Sequence, residues 1–95
     1  MRTFAWNAAK DAKLRAERGV GFMEIALEIA EGNVLDEIEH PSPNRFPGQR
    51  IFVVRHGNYA YLVPYVEDEQ WTFLKTIIPS RWETRRFLEE HEGQA

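Results

Sequence analysis

The sequence predicts an α+β domain: two helices first, then an antiparallel β-meander of three to five strands, then a closing helix. Three observations predict it. Apolar residues recur with helical spacing between Phe22 and Ala30, two strand-forming runs flank Gly57-Asn58, and Ser80-x-x-Glu83 follows Pro79 as a helix-capping pattern.

The elements follow in order. Phe4, Ala5 and Trp6 read as a short opening strand or an apolar anchor. Asn7 suits an N-cap, because its side chain can accept from a first-turn N–H that lacks a helical partner. Ala8 to Arg18 contains only helix-tolerant residues, and Gly19 ends that helix where a left-handed residue is favoured. Phe22, Ile25, Ala26, Ile29 and Ala30 then form one helical face, with Glu24, Glu28 and Glu31 on the other, until Gly32-Asn33 stops the helix. Val34 to Glu39 predicts a short polar edge strand. His40 to Gln49 holds Pro41, Pro43, Pro47 and Gly48 and reads as an irregular loop. Loops this long in a small domain are often functional, and a plain surface connection is the alternative.

Arg50 to His56 and Tyr59 to Val66 predict a hairpin around Gly57-Asn58. The two-residue loop sets the register: His56 opposite Tyr59, Val54 opposite Tyr61, Phe52 opposite Val63, Arg50 opposite Tyr65. One face then carries Arg50, Phe52, His56, Tyr59, Tyr61 and Tyr65; the other carries Ile51, Val53, Ala60, Leu62 and Pro64. The aliphatic face is expected to pack on the helices, leaving the aromatic, basic face more open. Pro64 has no N–H to donate and predicts a bulge or an edge. After a turn at Glu67 to Gln70, Trp71 to Ile78 predicts a third strand ended by Pro79. A four-residue turn there places Lys75 on the aliphatic face. In the last helix Thr84, Phe87, Leu88 and His91 share a face, and the tail from Glu92 to Ala95 reads as disordered.

Ninety-five residues make one domain, 1–95, and 43% apolar residues supply its core. No apolar run approaches the roughly 20 residues of a membrane span. The start carries no signal-peptide pattern, so a cytoplasmic location is expected. Without cysteine there are neither disulfides nor thiolate metal sites. A net charge of −3 argues mildly against a general nucleic-acid binder, but charge is segregated. Gly19 to Asn44 is acidic, Arg45 to Tyr61 carries Arg45, Arg50 and Arg55, and Lys75, Arg81, Arg85 and Arg86 cluster later. That pattern fits either a two-faced molecule or two ordinary solvated surfaces.

Chemistry narrows the functions. There is no phosphate-cradling glycine motif, no nucleophile elbow and no metal-ligand spacing among His40, His56 and His91, so neither cofactor nor metal is expected. A sheet face of Arg, Tyr and His beside a helix start near Ser80 suits a phosphodiester. RNA carries its own nucleophile, the 2′-hydroxyl, so its cleavage needs a base, an acid and positive charge. Arg50, Arg81, His56, Tyr61 and Lys75 are the candidates for those tasks; Lys10, Lys13, Arg45 and Arg85 are the candidates for RNA binding. Aromatic residues on a small sheet are also common core or interface residues.

Two blocks carry a family resemblance. Phe4-Ala5-Trp6-Asn7 with Lys10, then Gly19-Val20-Gly21-Phe22 with Glu24 and Ala26, resembles the opening of the BrnT-like toxins. Ile77-Ile78-Pro79-Ser80-Arg81 with Thr84-Arg85-Arg86 resembles their close. The chain departs from that pattern at Glu17, Arg18, Thr76 and Pro79. The resemblance implies a type II toxin of RelE-like fold: a metal-independent endoribonuclease held inactive by a cognate antitoxin. Such antitoxins typically carry a small DNA-binding domain of ribbon-helix-helix type, so operator DNA is reached only through the antitoxin. By position, Lys10, Arg50 and Arg81 match basic residues of the family. The alternative is a non-catalytic module that keeps the fold to pair with a DNA-binding partner; a DNA binder acting alone ranks below both.

Overall fold

A computed structural model describes residues 2–89. The chain runs β1 (Phe4–Ala5), α1 (Ala8–Arg18), α2 (Phe22–Ala30), β2 (Val34–Glu39), β3 (Arg50–His56), β4 (Tyr59–Glu67), β5 (Thr72–Leu74) and β6 (Ile78–Pro79). The last helix, α3, starts as Arg81–Thr84 and continues as a wider π-type turn, Arg85–Glu89. His91 and the tail from Glu92 lie outside the described residues.

The helical hairpin is built by its junction. Asn7 Oδ1 accepts from the Lys10 N–H at 2.9 Å, as an N-cap should. Gly19 takes φ +70 and lets the chain leave α1 at once. Asp11 then reaches across: its Oδ1 accepts from the Phe22 N–H at 2.8 Å, so α1 caps α2. Gly21 gives these two side chains room, since a Cβ there would come within 2.6 Å of Arg15 Nε and 2.9 Å of Asp11 Oδ1 and oblige them to shift. The Arg18 guanidinium donates to the Ile77 carbonyl, tying this junction to the far end of the chain.

The strands form one mixed six-stranded sheet in the order β1-β5-β4-β3-β2, with β6 also paired to β4. β1 joins β5 in parallel, placing the chain's opening against its last third. The β3–β4 register agrees with the sequence reading pair for pair, from Arg50↔Tyr65 to His56↔Tyr59. Gly57 has φ +62, and among the described residues none but glycine has positive φ, the pattern of a II′ hairpin turn.

Two expectations are corrected. The single strand from Trp71 to Ile78 is two pieces. Tyr65 pairs with Leu74 but Leu62 pairs with Ile78, one residue out of step. The break lies opposite Pro64, which offers no N–H and accepts from Lys75 N–H at 2.8 Å. Pro79 does not end the strand; it pairs with Tyr61.

The second correction is the face. Phe52, Val54, Val63 and Tyr65 pack with Leu14, Phe22, Ile25 and Ala26 of the helical hairpin, so the aromatic face is the covered one. Val54 and Val63 alternate with those aromatics and make that face as apolar as the other, and Tyr65 stacks on Phe52 at 3.9 Å. Ile51, Val53 and Ala60 are buried as well, and the last helix joins β4 on Ala60: Thr84 Oγ1 accepts from the Ala60 N–H at 2.8 Å, and Leu88 is buried. Both sheet faces are therefore covered, and alternation alone does not say which helix takes which face.

Ser80 caps the last helix, its Oγ accepting from Glu83 N–H at 3.1 Å, but the reciprocal half of the capping box is absent. The Ser80 N–H goes instead to the Ala60 carbonyl at 3.0 Å. Glu83 is left 7% exposed, 3.6 Å from Arg86, with Oε2 lacking a partner. Burial pushes its carboxyl up; Arg86 opposes this and Asp36 adds to it. A raised carboxylate is ionised more readily in the unfolded chain, so its contribution is lost as pH rises above the ordinary Glu range. Glu83→Gln is expected to raise the melting temperature at pH 7 by a few degrees. The gap should close near pH 4, as pH-dependent thermal melts would show.

Candidate functional site

The residues singled out from the sequence fall into separate places. Arg50 sits at one end of β3, its Nε 3.7 Å from Glu37, with the Tyr65 hydroxyl donating to the same carboxylate. The Tyr65 phenol is pushed up to about 12, first by burial and then by Glu37. His56 lies at the other end of β3, about 20 Å away at a strand's rise per residue. Arg50 and His56 therefore cannot act on one phosphate.

His56 and Tyr61 do share a place, with their rings 6.3 Å apart, but their company is acidic. His56 Nδ1 is 2.7 Å from Glu28 and Nε2 is 3.3 Å from Glu24, both on α2. Both ring nitrogens are engaged, so the ring fastens the hairpin end to α2. The hydrogen bond with His56 holds the Glu28 carboxyl below its usual range against its burial, with Asn33 helping. Tyr61 is pushed up by burial, then by Tyr59 and Glu24, so at neutral pH it keeps its proton and is no base. His56 and Tyr61 therefore sit beside two carboxylates, an unfavourable setting for a phosphate.

Arg81 and Arg85 are exposed on the last helix; Arg85 lies 4.0 Å from Glu89, and Arg81 has no ion pair among the described residues. The helix start beside Arg81 already spends one N–H on Ser80. Arg45 belongs to the loop between β2 and β3, with its guanidinium 5.7 Å from the Phe46 ring. That loop is closed by the His40 N–H to the Gln49 carbonyl at 3.2 Å, and His40 packs on Phe46 at 4.3 Å.

Three of the predicted residues come together. Lys10 and Lys13 of α1 and Lys75 after β5 line one open recess with Asn7, Ala9 and Phe73. Parallel pairing of β1 with β5 explains it. Trp6 and Asn7 lead directly from β1 into α1, so the first turns of that helix stand beside the end of β5. Leu74 is buried in the core with Tyr65, while Lys75 Nζ lies 5.5 Å from the Phe73 ring. The four-residue turn spans 68–71, one residue later than expected, so Lys75 falls at Pro64 rather than opposite Leu62. Lys13 makes only a long, exposed pair with Glu17 at 3.9 Å; Lys10 and Lys75 have no carboxylate partner among the described residues. Such an exposed pair contributes about 0–1 kcal/mol and leaves the ammonium available.

Chemically, this recess can hold an extended anion and stabilise added negative charge, but no His, Asp or Glu lines it. It supplies binding, not a base. The sequence reading missed Asn7 and Phe73; the W-x-F-x-K alternation from Trp71 to Lys75 was the available signal. Among the described residues no cluster of three His, Asp or Glu side chains could hold a metal, and no helix is long and apolar enough to cross a membrane. Compared with protein-family models, with curated proteins and with solved structures, the chain matches none.

Proposed function

We propose that this chain is the toxin half of a type II toxin–antitoxin pair, acting on RNA that it grips through Lys10, Lys13 and Lys75. The observation that carries the reading is the convergence of these three lysines at one recess while the rest of the molecule is net acidic. A protein with overall negative charge binds a polyanion only where its cations are concentrated. The resemblance to BrnT-like toxins supports the toxin assignment; Arg18, a departure from that pattern just before Gly19, donates to the Ile77 carbonyl of the closing block. Those motif residues mostly build the fold: Gly19 and Gly21 shape the helical junction, Val20 and Ile77 are buried, and Ser80 caps the last helix. In this reading the RNA's own 2′-hydroxyl attacks phosphorus and gives its proton to water. The P–O5′ bond breaks to leave a 2′,3′-cyclic phosphate and a 5′-hydroxyl protonated by water. The lysines stabilise the charge that develops, and an antitoxin restrains the activity.

Induced expression of the chain alone is expected to arrest growth, and Lys10→Ala/Lys13→Ala/Lys75→Ala is expected to relieve the arrest at equal protein level. RNA recovered from arrested cells should be cut, and purified chain should cut RNA equally with and without chelator. Harmless expression with intact RNA would overturn the proposal.

One observation favours a second reading. Among the described residues no His, Asp or Glu lines the lysine recess, and His56 is held between two carboxylates at a different place. A chain that binds RNA or a partner without cutting fits that arrangement. It would leave RNA intact yet retain RNA through the same lysines.

A further inference from the structure

The lysine recess does not end at Phe73. On its other side the same ring helps to line a trough of about 400 Å³ with Ala5, Val66, Glu67, Asp68 and Trp71. Thr72 and Leu74 of β5 are buried, while Phe73 between them shares the trough with Trp71 just before the strand and the recess with Lys75 just after it. Trp71 is 46% exposed. Among the described residues, the last helix is hydrogen-bonded to β4 at Ala60, six residues and about 20 Å along the strand from Val66.

We propose that this trough is a nucleobase subsite and that the ligand is single-stranded RNA. Its phosphates lie over Lys10, Lys13 and Lys75, and one unpaired base stacks against Trp71 and Phe73. The inference rests on the RNA reading above and adds the form of the RNA and the groups that read it. Stacking platforms beside a line of cations are how proteins hold single strands without reading sequence, because every base has a π-face. Lys75, 5.5 Å from the Phe73 ring centroid, joins the two halves of the site.

The acidic residues of the trough fit this orientation. Asp68 accepts from the Gln70 and Trp71 N–H groups, both at 2.8 Å, and those bonds hold its carboxyl below the usual range. Glu67 accepts from the Thr72 hydroxyl at 2.7 Å and lies 3.7 Å from Arg2. Negative charge at that end repels phosphate and keeps the backbone on the lysine side. The same carboxylates can accept from the amino groups of a base. A duplex cannot use the trough, since its bases are stacked and paired inside.

Anisotropy of a fluorescein-labelled oligoribonucleotide tests this on the purified chain. Single-stranded RNA is expected to bind more tightly than the same sequence annealed to its complement. Trp71→Ala is expected to weaken single-strand binding roughly 5- to 100-fold, the range for loss of one stacked base, with an unchanged salt dependence. Trp71→Phe should restore most of the affinity, and far-ultraviolet circular dichroism checks that each variant is folded. If Trp71→Ala binds like wild type while Lys10→Ala and Lys75→Ala weaken binding, or if the duplex binds as well as the single strand, the base subsite is wrong and the RNA reading stands. If no form of RNA binds, both are wrong. If Trp71→Ala spares RNA but abolishes capture of a co-expressed protein partner, the trough is a protein-docking surface instead.

Discussion

Tyr65→Ala is expected to cost about 3–5 kcal/mol, which is most of the stability of a domain this size. Tyr65 is 1% exposed, stacked on Phe52 and enclosed by the helical hairpin. Removing the ring leaves a cavity that its neighbours cannot close. Tyr65→Phe keeps the ring and loses only the hydroxyl's bond to Glu37, a cost of about 1 kcal/mol. Tyr59→Ala, at the half-buried end of the hairpin, should cost far less than Tyr65→Ala. Urea unfolding of the three variants separates the covered aromatic face from an open one, because an open face would make both tyrosine-to-alanine changes mild.

The lysine recess gives the second large effect. Three phosphate contacts on a single strand imply a slope of about −2 for log affinity against log salt, or roughly a 20-fold loss between about 50 and 200 mM. Lys10→Ala/Lys13→Ala/Lys75→Ala should remove most of that slope along with the affinity. Each single substitution should lower the slope by about 0.7. Arg50→Ala and Arg81→Ala should leave the slope unchanged. These two arginines lie outside the recess, and Arg50 is already paired with Glu37.

Local rules made much of the fold legible. Asn7, Gly19, Gly57 and Ser80 act through their own backbone neighbourhoods, so the cap, the helix stop, the hairpin register and the last helix's start could be read directly. Pro64 announced an irregularity, and the pairing shifts by one residue opposite it. The faces were not legible. Period-two alternation groups residues that share a side, and here both sides are apolar enough to be buried. The parallel pairing of β1 with β5 was not legible either, because two residues, Phe4 and Ala5, are too few to carry a pattern.

The same gap limited the site. Lys10, Lys13 and Lys75 were each recognisable as candidates, but their meeting depends on that parallel pairing. Arg50, His56, Tyr61 and Arg81 looked like one set because they shared a chemistry. Strand length separates the first two, and α2 supplies His56 and Tyr61 with glutamates instead of phosphate-binding partners. Phe73 could have been found from its position between Trp71 and Lys75 in the W-x-F-x-K spacing of the sequence.

The central claim is where RNA touches this protein, and amide chemical-shift mapping with a short single-stranded oligoribonucleotide tests it most directly. The account predicts shifts concentrated in 7–13 and 71–75, with Glu24, Glu28, His56 and Tyr61 unmoved. Shifts confined to Arg50, or to His56 and Tyr61, with the lysine recess silent would contradict it.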